Sequence, residues 1–396
     1  MEVLFMYFIG IDIGKRQHEA CIIDSSGQIQ SKMFRFSNTQ AGGQKLIEWM
    51  RAVDPNLASF CVGMEATGHY WLALYTFLCK QGIRPLVINP IQSDAFRNMY
   101  IRQAKNDAKD AFIIAEILRF GRYTTTELAN EQILALRQLS RFRFNLVDSI
   151  SDLKRQVIGI LDILFPEYER LFSDLFGKTS SELLMEYTTP EEILAVDTEE
   201  LAAFIAKHSR NRFGLDKAQE LKSAAESSFG VGIALDAYRL QLRLLLQQIR
   251  FMEQQLRALE DKITTYLAAV DTNLMTIPGI GPVLAAAILG EIGDISRFST
   301  GVKLVAYAGI DPTVKQSGEY TGTRNRMSKR GSPYLRRAIW LAASVAKTHN
   351  PILKAFYEQK RAEGKHPLAA TGAVARKLTY VIHAVLRDRK PYEPIA

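Results

Sequence analysis

The sequence predicts an α/β region at the N-terminus, a long helical middle and a mainly α-helical, basic C-terminal end. Three observations carry this. Short apolar runs alternate with helix-length segments up to about residue 125; from Glu127 to Val270 the strand signal disappears and helical periodicity takes over; after Asp271 a Gly-rich turn opens into alanine-rich and cationic segments. A chain of 396 residues exceeds the ~100–200 residues of a usual domain. The changes in texture divide it into 1–125, 126–270 and 271–396.

The first region opens with three strand-like runs, Tyr7–Ile13, Ala20–Asp24 and Lys32–Phe36, with Ser25-Ser26-Gly27 as a hairpin turn. A helix is expected from Ala41 to Val53, a strand at Phe60–Met64, a helix at Tyr70–Gln81, a strand at Arg84–Ile88 and a helix from Lys105 to Phe120. The order β-β-β-α-β-α-β-α is that of a ribonuclease-H-like sheet.

In the middle, Leu146, Ile150, Leu153, Val157, Ile160 and Leu164 form one stripe that ends before Pro166. A longer one runs through Leu235, Tyr238, Leu242, Leu245, Ile249, Met252, Leu256, Leu259, Ile263 and Tyr266, the spacing of a coiled-coil seam. Two partners would satisfy it equally: a second chain, or the 146–164 helix of the same chain packed antiparallel. Residues 173–230 read as a small cap between these arms. Leu274–Asp294, LMTIPGIGPVLAAAILGEIGD, has the pattern of a helix-hairpin-helix, in which Gly279 and Gly281 let the backbone turn beside a phosphate at a helix N-terminus; an ordinary αα-corner needs glycine as well.

Composition sets limits on function. Hydrophobic residues at 47% and charged residues at 23% are ordinary for a folded chain, which argues against disorder and small disulfide scaffolds. No apolar run approaches the ~18 residues of a membrane span, and no cleavage-site pattern follows the apolar start, so a cytoplasmic protein with no membrane association is expected. The three cysteines form no CxxC pair and the six histidines show no zinc spacing, leaving oxygen as the ligand for any metal. The net charge of +8 is uneven: Arg297 to the end carries 19 basic and 6 acidic residues, a net of +13, so everything before it nets −5. That end is expected to bind a polyanion, although solvated helix faces give the same count.

Four carboxylates stand where chemistry is expected. Asp12 lies inside the first apolar strand, where a buried charge is costly without a metal or cation. Glu65 ends the strand FCVGM ahead of Ala-Thr-Gly-His, and Asp107 and Asp110 share one helix face. A ribonuclease-H-like sheet brings these positions to one edge, and an all-carboxylate set suits Mg²⁺ and two-metal phosphoryl transfer. Lys105 and Lys109 flank Asp107 and are candidates for phosphate contact, as are Gly279, Gly281, Arg324, Arg326, Lys329, Arg330, Arg336 and Arg337. Each acid taken singly is more commonly a cap or a solvated residue. Within the basic end, Ser317 precedes Gly318, and Ser328 stands in Met-Ser-Lys-Arg-Gly. A serine attacks phosphorus only where its proton is removed and the developing charge is offset. On composition alone, Ser317 fills a turn and Ser328 N-caps the next helix.

FIGIDIGK, GMEATGHYW, INPIQS and KNDAKDA, followed far downstream by IPGIGPVLAAAILGEIGDISRF, LVAYAGIDPTVKQSG and MSKRGSPYLRRA, together resemble the DEDD transposases of the insertion-sequence family IS110, including its IS1111 branch. The resemblance covers roughly 1–125 and 271–396. It implies a RuvC-like nuclease domain with Asp12, Glu65, Asp107 and Asp110 as the tetrad, joined by a coiled coil to a C-terminal transposase domain with a nucleophilic serine. That serine would be Ser317, with Ser328 as the fallback. It further implies a covalent serine–DNA link, a structured non-coding guide RNA, and a homo-oligomer, dimer or tetramer, working on element ends and target DNA in the nucleoid. Gln316 stands where relatives often have another small hydroxyl residue.

Two other classes compete. A sugar-kinase or actin-like ATPase also opens with a GIDIG-like strand, but it needs a second Asp-x-Gly phosphate strand, and no second strand set is expected after residue 125. A non-catalytic nucleic-acid-binding scaffold would use only the basic end and the coiled coil. Mg²⁺-dependent DNA cleavage separates it from a recombinase.

Overall fold

The computed structural model describes residues 6–65, 68–88, 93, 96, 107–121, 130–313, 316–317, 320–321 and 326–394, with the backbone alone at 107, 108, 316, 317, 320 and 321. The chain divides into two compact units, Met1–Leu128 and Ala129–Ala396.

In the first unit β1 (Tyr7–Ile13) and β2 (Gln17–Asp24) form a hairpin, followed by β3 (Phe34–Ser37), α1 (Gln40–Val53), β4 (Phe60–Glu65), α2 (Trp71–Lys80), β5 (Leu86–Ile88) and α3 (Asp107–Phe120). This is the expected order. The observed ends differ from the expected ones by at most three residues; Lys105 and Asn106, expected to start the last helix, lie outside the described residues. The sheet order is β3-β2-β1-β4-β5, antiparallel on the β2 side of β1 and parallel on the β4 side.

Strand alternation sends successive side chains to opposite faces. Ile9, Ile11, Ile13, Val62 and Met64 pack with Leu46, Ile47 and Met50 of α1 and Leu74 and Leu78 of α2. The other face packs on α3: Cys21 and Ile23 against Ala111 and Ala115, Cys61 and Ile88 against Ile113, Ile114, Ile117 and Leu118. Two glycines set how closely α3 lies. Gly10 and Gly63 are register partners, and a Cβ on Gly10 would fall 2.0 Å from the Ala111 carbonyl, one on Gly63 2.8 Å from the Leu118 side chain.

The second unit begins with α4 (Glu131–Leu164) and continues through α5 (Lys178–Glu186), α6 (Pro190–Ala195), α7 (Thr198–Ser209), α8 (Leu215–Glu226) and α9 (Leu235–Ala268). Then come α10 (Pro282–Ile292), α11 (Gly301–Ala308), the two-residue strands β6 (Gln316–Ser317) and β7 (Tyr320–Thr321), α12 (Pro333–His349), α13 (Pro351–Ala362) and α14 (Pro367–Asp388). Both long helices have 34 residues; each therefore spans about 50 Å. They run antiparallel, as the ion pairs Arg143–Glu260 and Lys154–Glu253 show.

Of the two partners open to the Leu235–Tyr266 stripe, the structure has the internal one. Leu242, Leu245 and Ile249 are buried with Leu146, Ile150 and Val157 of α4 and with the α5–α8 cap. Ile263 and Leu267 join Ile133, Leu136 and Phe144 in the core formed by α10, α11, α12 and α14. The base of the helical hairpin is thus part of the C-terminal core. The stripe is apolar because α4 covers it.

Among the described residues, no helix is long and apolar enough to cross a membrane.

Candidate functional site

In the first unit the parallel pairing of β1 and β4 ends at Ile11↔Met64, so Asp12 and Glu65 are the next residues on adjacent strands, at their C-terminal ends. Asp12 shares the face of Gly10, and Glu65 that of Gly63, since each pair is two residues apart. Both glycines face α3. Asp110 lies in the first turn of α3 beside Ala111, and its side chain is buried at 8% exposure. Asp12, Glu65 and Asp110 therefore belong to one face of the sheet. Asp107 is the first residue of α3, one turn before Ala111, and its side chain lies outside the described residues, as does Lys105. Lys109 is exposed.

Three residues to which the sequence alone assigns no role, Ser93 at the end of INPIQS, Glu19 and Arg35, extend this site. Ser93 is buried and donates to Glu65 Oε2 at 2.8 Å. Glu19 stands directly across from Asp12 on β2, and Arg35 across from Glu19 on β3, with Arg35 Nη2 2.7 Å from Glu19 Oε1. A row Arg35, Glu19, Asp12, Glu65 thus crosses four strands. The donor set is all oxygen and suits a hard divalent cation. Among the described residues, no three His, Cys, Asp or Glu side chains form a group able to hold a metal ion.

In the second unit the backbone of Ser317 lies in β6, paired with Tyr320 of β7. Ser328 does not cap the next helix. Its hydroxyl donates to Asp311 Oδ1 at 2.5 Å and its amide to the Asp311 carbonyl at 2.8 Å. The N-cap of α12 is Ser332, whose hydroxyl accepts from the Leu335 amide; Pro333 behind it is the signal that identifies this cap. Ser332 also donates to Glu291 Oε2 at 2.7 Å.

Glu291, only 3% exposed, lies near the end of α10 and joins three elements. Arg141 of α4 grips it in bidentate fashion, Nε at 2.5 Å and Nη2 at 3.0 Å, and Arg137 Nε stands 3.7 Å away. Burial is the largest single influence and works against the Arg141 charge, but the hydrogen bond to Glu291 and the attraction of Glu291, Tyr334 and Tyr307 together outweigh it and raise the pKa. The close approach depends on Gly290, where a Cβ would meet the Arg137 backbone at 2.7 Å.

The remaining predicted cations separate by role. Arg326, Lys329 and Arg330 are exposed, and Lys329 holds a left-handed φ of 54°. Arg336 Nη1 donates to the Ala308 carbonyl at 3.2 Å, and Arg337 grips Asp148 at 2.6 and 2.7 Å over the Phe144 ring. These two tie helices together. Arg324 lies outside the described residues. At the expected hairpin, Gly279 has φ 103° and turns towards α12, where a Cβ would meet the Ala346 amide nitrogen at 2.8 Å. Gly281 borders open space and N-caps α10, which has no side-chain cap.

A family model of DEDD transposases of the IS110 type, described as "Transposase", matches residues 9–166, and the model "Transposase IS116/IS110/IS902 family" matches residues 271–358. The first spans the sheet, α3 and α4; the second spans Gly281, Glu291, Ser317 and Ser328. An insertion element IS900 protein of Mycobacterium paratuberculosis is 28% identical, with 97% of this chain and 96% of the relative aligned. The mini-circle putative transposase for IS117 of Streptomyces coelicolor is 26% identical over 98% and 95%. A pilin gene-inverting protein of Moraxella bovis is 24% identical over 98% and 97%. The two family models fall on the two places where the fold gathers its candidate residues, and the chain belongs to the IS110 family of insertion-sequence transposases.

Proposed function

We propose that this transposase cuts and rejoins DNA with two sets of residues: the carboxylates Asp12, Glu65, Asp107 and Asp110 of a RuvC-like domain (1–125), and Ser317 of the C-terminal domain (271–396), joined by the helical coiled-coil region (126–270). The observation that carries the reading is the placement of Asp12, Glu65 and Asp110 on the α3 face of one sheet. The four carboxylates would hold Mg²⁺, which supplies positive charge beside a phosphodiester. Ser93 fixes the Glu65 carboxylate, and the Arg35–Glu19 pair borders Asp12.

At Ser317 the hydroxyl loses its proton, its oxygen bonds to phosphorus, and the displaced sugar oxygen leaves with a proton. A strand hydroxyl then attacks the phosphoserine and releases the serine. Ser328 is committed to Asp311, which favours Ser317 as the nucleophile. Arg326, Lys329 and Arg330 supply exposed charge for DNA. The reading extends to a homo-oligomer and a structured non-coding guide RNA, carried by the resemblance of the sequence motifs alone, at work in the cytoplasm on nucleoid DNA. A relative named for inverting a pilin gene points to the same cutting and rejoining.

The test is purified protein with DNA carrying both element ends, with and without Mg²⁺ and with and without RNA from the element. Strand cleavage and a protein–DNA adduct that require Mg²⁺ are expected. DNA binding without cleavage in every combination would leave a scaffold and reject the recombinase.

A further inference from the structure

Residues 173–230, which form the α5–α8 cap, carry eleven acidic and six basic residues. Two of the six are engaged: Lys217 with Glu220 and the Leu171 carbonyl, Lys222 with the carbonyls of Leu194 and Val196. Lys178, Lys207, Arg210 and Arg212 are exposed, and among the described residues their side chains make neither an ion pair nor a hydrogen bond. Three of them, Lys178, Arg210 and Arg212, line one cavity of about 350 Å³ together with His208.

The helix ends sharpen the point. Cations in the last turn of α7 and at its C-cap, where Arg210 is left-handed, suit the negative end of that helix. Lys178 does not have this explanation. It is the first residue of α5, where the dipole is already positive, the first turn holds no acidic residue, and Gly177 gives no side-chain cap. The neighbours α6 and α7 are capped by Thr189 and Asp197. Asp174, the acid in the cavity wall, is turned to its own loop, accepting from the Phe176 amide at 3.0 Å. Free amides, an added ammonium and two guanidinium groups around one concave space are the complement of a phosphodiester, whose oxygens accept from backbone N–H groups and from Arg forks.

We infer that this cavity holds a backbone phosphate of a nucleic-acid strand, making the α5–α8 cap a nucleic-acid contact separate in sequence from the basic C-terminal end. The inference rests on the reading of the protein as a DNA recombinase.

The experiment compares the full-length protein with the double variant Arg210→Asn, Arg212→Gln, in which Asn tolerates the left-handed backbone, and independently with Lys178→Gln. Binding of a DNA duplex and of a structured RNA hairpin is followed across a salt titration. Each lost duplex contact lowers the slope of log affinity against log salt by ~0.9, and each single-strand contact by ~0.7. The double variant, which removes both forks from the one phosphate, is expected to lower the slope by roughly 0.7–0.9, and Lys178→Gln by about half as much, with at least one probe. The probe that responds identifies the strand as DNA or RNA. Arg155→Gln, at an exposed cation in the same unit, is expected to leave both slopes unchanged. Slopes unchanged with both probes in both cavity variants would overturn the site while leaving the recombinase reading intact. A wild-type protein that binds neither probe would overturn both.

Discussion

Asp12 faces Glu19 directly across the antiparallel β1–β2 pair. Two carboxylates at cross-strand distance repel unless charge of the other sign stands by, and Arg35 supplies part of it from β3. Asp12→Ala is therefore expected to reduce DNA cleavage to background with binding retained, whereas Glu19→Gln lowers cleavage about 10- to 100-fold, as outer-shell partners of metal ligands do, and excess Mg²⁺ restores part of it. Cleavage rates over a Mg²⁺ titration check both. A Glu19→Gln protein as inactive as Asp12→Ala at saturating Mg²⁺ would place Glu19 among the ligands instead.

The two serines separate by the same logic. Ser317→Ala should abolish the covalent protein–DNA adduct. Ser328→Ala should leave adduct formation in place and reduce stability by ~1–3 kcal/mol, because Asp311 loses its donor. Peptide mapping of trapped adducts and denaturant melts are the measurements, and an adduct on Ser328 would reverse the assignment.

Gly10→Ala would place a methyl 2.0 Å from the Ala111 carbonyl, a backbone atom that no rotamer change can move. A loss of at least ~1–3 kcal/mol is expected, together with reduced cleavage, since α3 carries Asp107 and Asp110. Gly281→Ala, bordered by open space, should melt within ~0.5 kcal/mol of the wild type.

Removing one side of the Glu291 network is expected to be severe. Glu291→Ala leaves Arg141 partly buried without its partner and Ser332 without its acceptor, a loss of about 3–5 kcal/mol. Glu291→Gln keeps an acceptor for Ser332 and should cost less. Chemical denaturation of the two variants gives the comparison.

His18 predicts acid sensitivity of the sheet. Its ring is buried at 1% exposure and Nδ1 accepts from the Gly14 amide at 3.3 Å. Burial lowers its pKa below the ordinary 6.5, with Asn38 beside it acting in the other direction. The folded chain thus favours the neutral ring while the unfolded chain takes up a proton near 6.5. Its contribution to stability is full above that pH and falls as the pH drops below it. Amide protection in β2, corrected for the intrinsic exchange rate, should fall on acidification through that range in the wild type, and less so in His18→Gln.

The sheet was legible because each strand is a short apolar run between turn residues. The α9 stripe was legible as a stripe only, since periodicity reports that a face is covered and not by what. Register explains the rest. Glu19 gains its meaning from its register partner Asp12, and Ser93, although it closes INPIQS, gains its role from Glu65, 28 residues earlier. Glu291 is a lone acid in an alanine-rich helix, and its partners lie 150 and 41 residues away. Ser332 was within reach, because serine before proline is a helix-start signal.

The segment from Ser328 to Ser332 is fixed at both ends, by Asp311 and by Glu291, and passes so near the end of α11 that a Cβ on Gly331 would lie 2.1 Å from the Tyr307 carbonyl. Lys329 and Arg330 are consequently exposed on a backbone that already has its final course. Ordering a backbone residue costs ~1–2 kcal/mol, and here folding has met that cost before DNA arrives. Contact of these two cations with a strand, as proposed, would then freeze only the ends of two long side chains. Cutting either anchor would change the loop from a rigid presenter of charge into a flexible one, and the loss would register first as faster release of DNA.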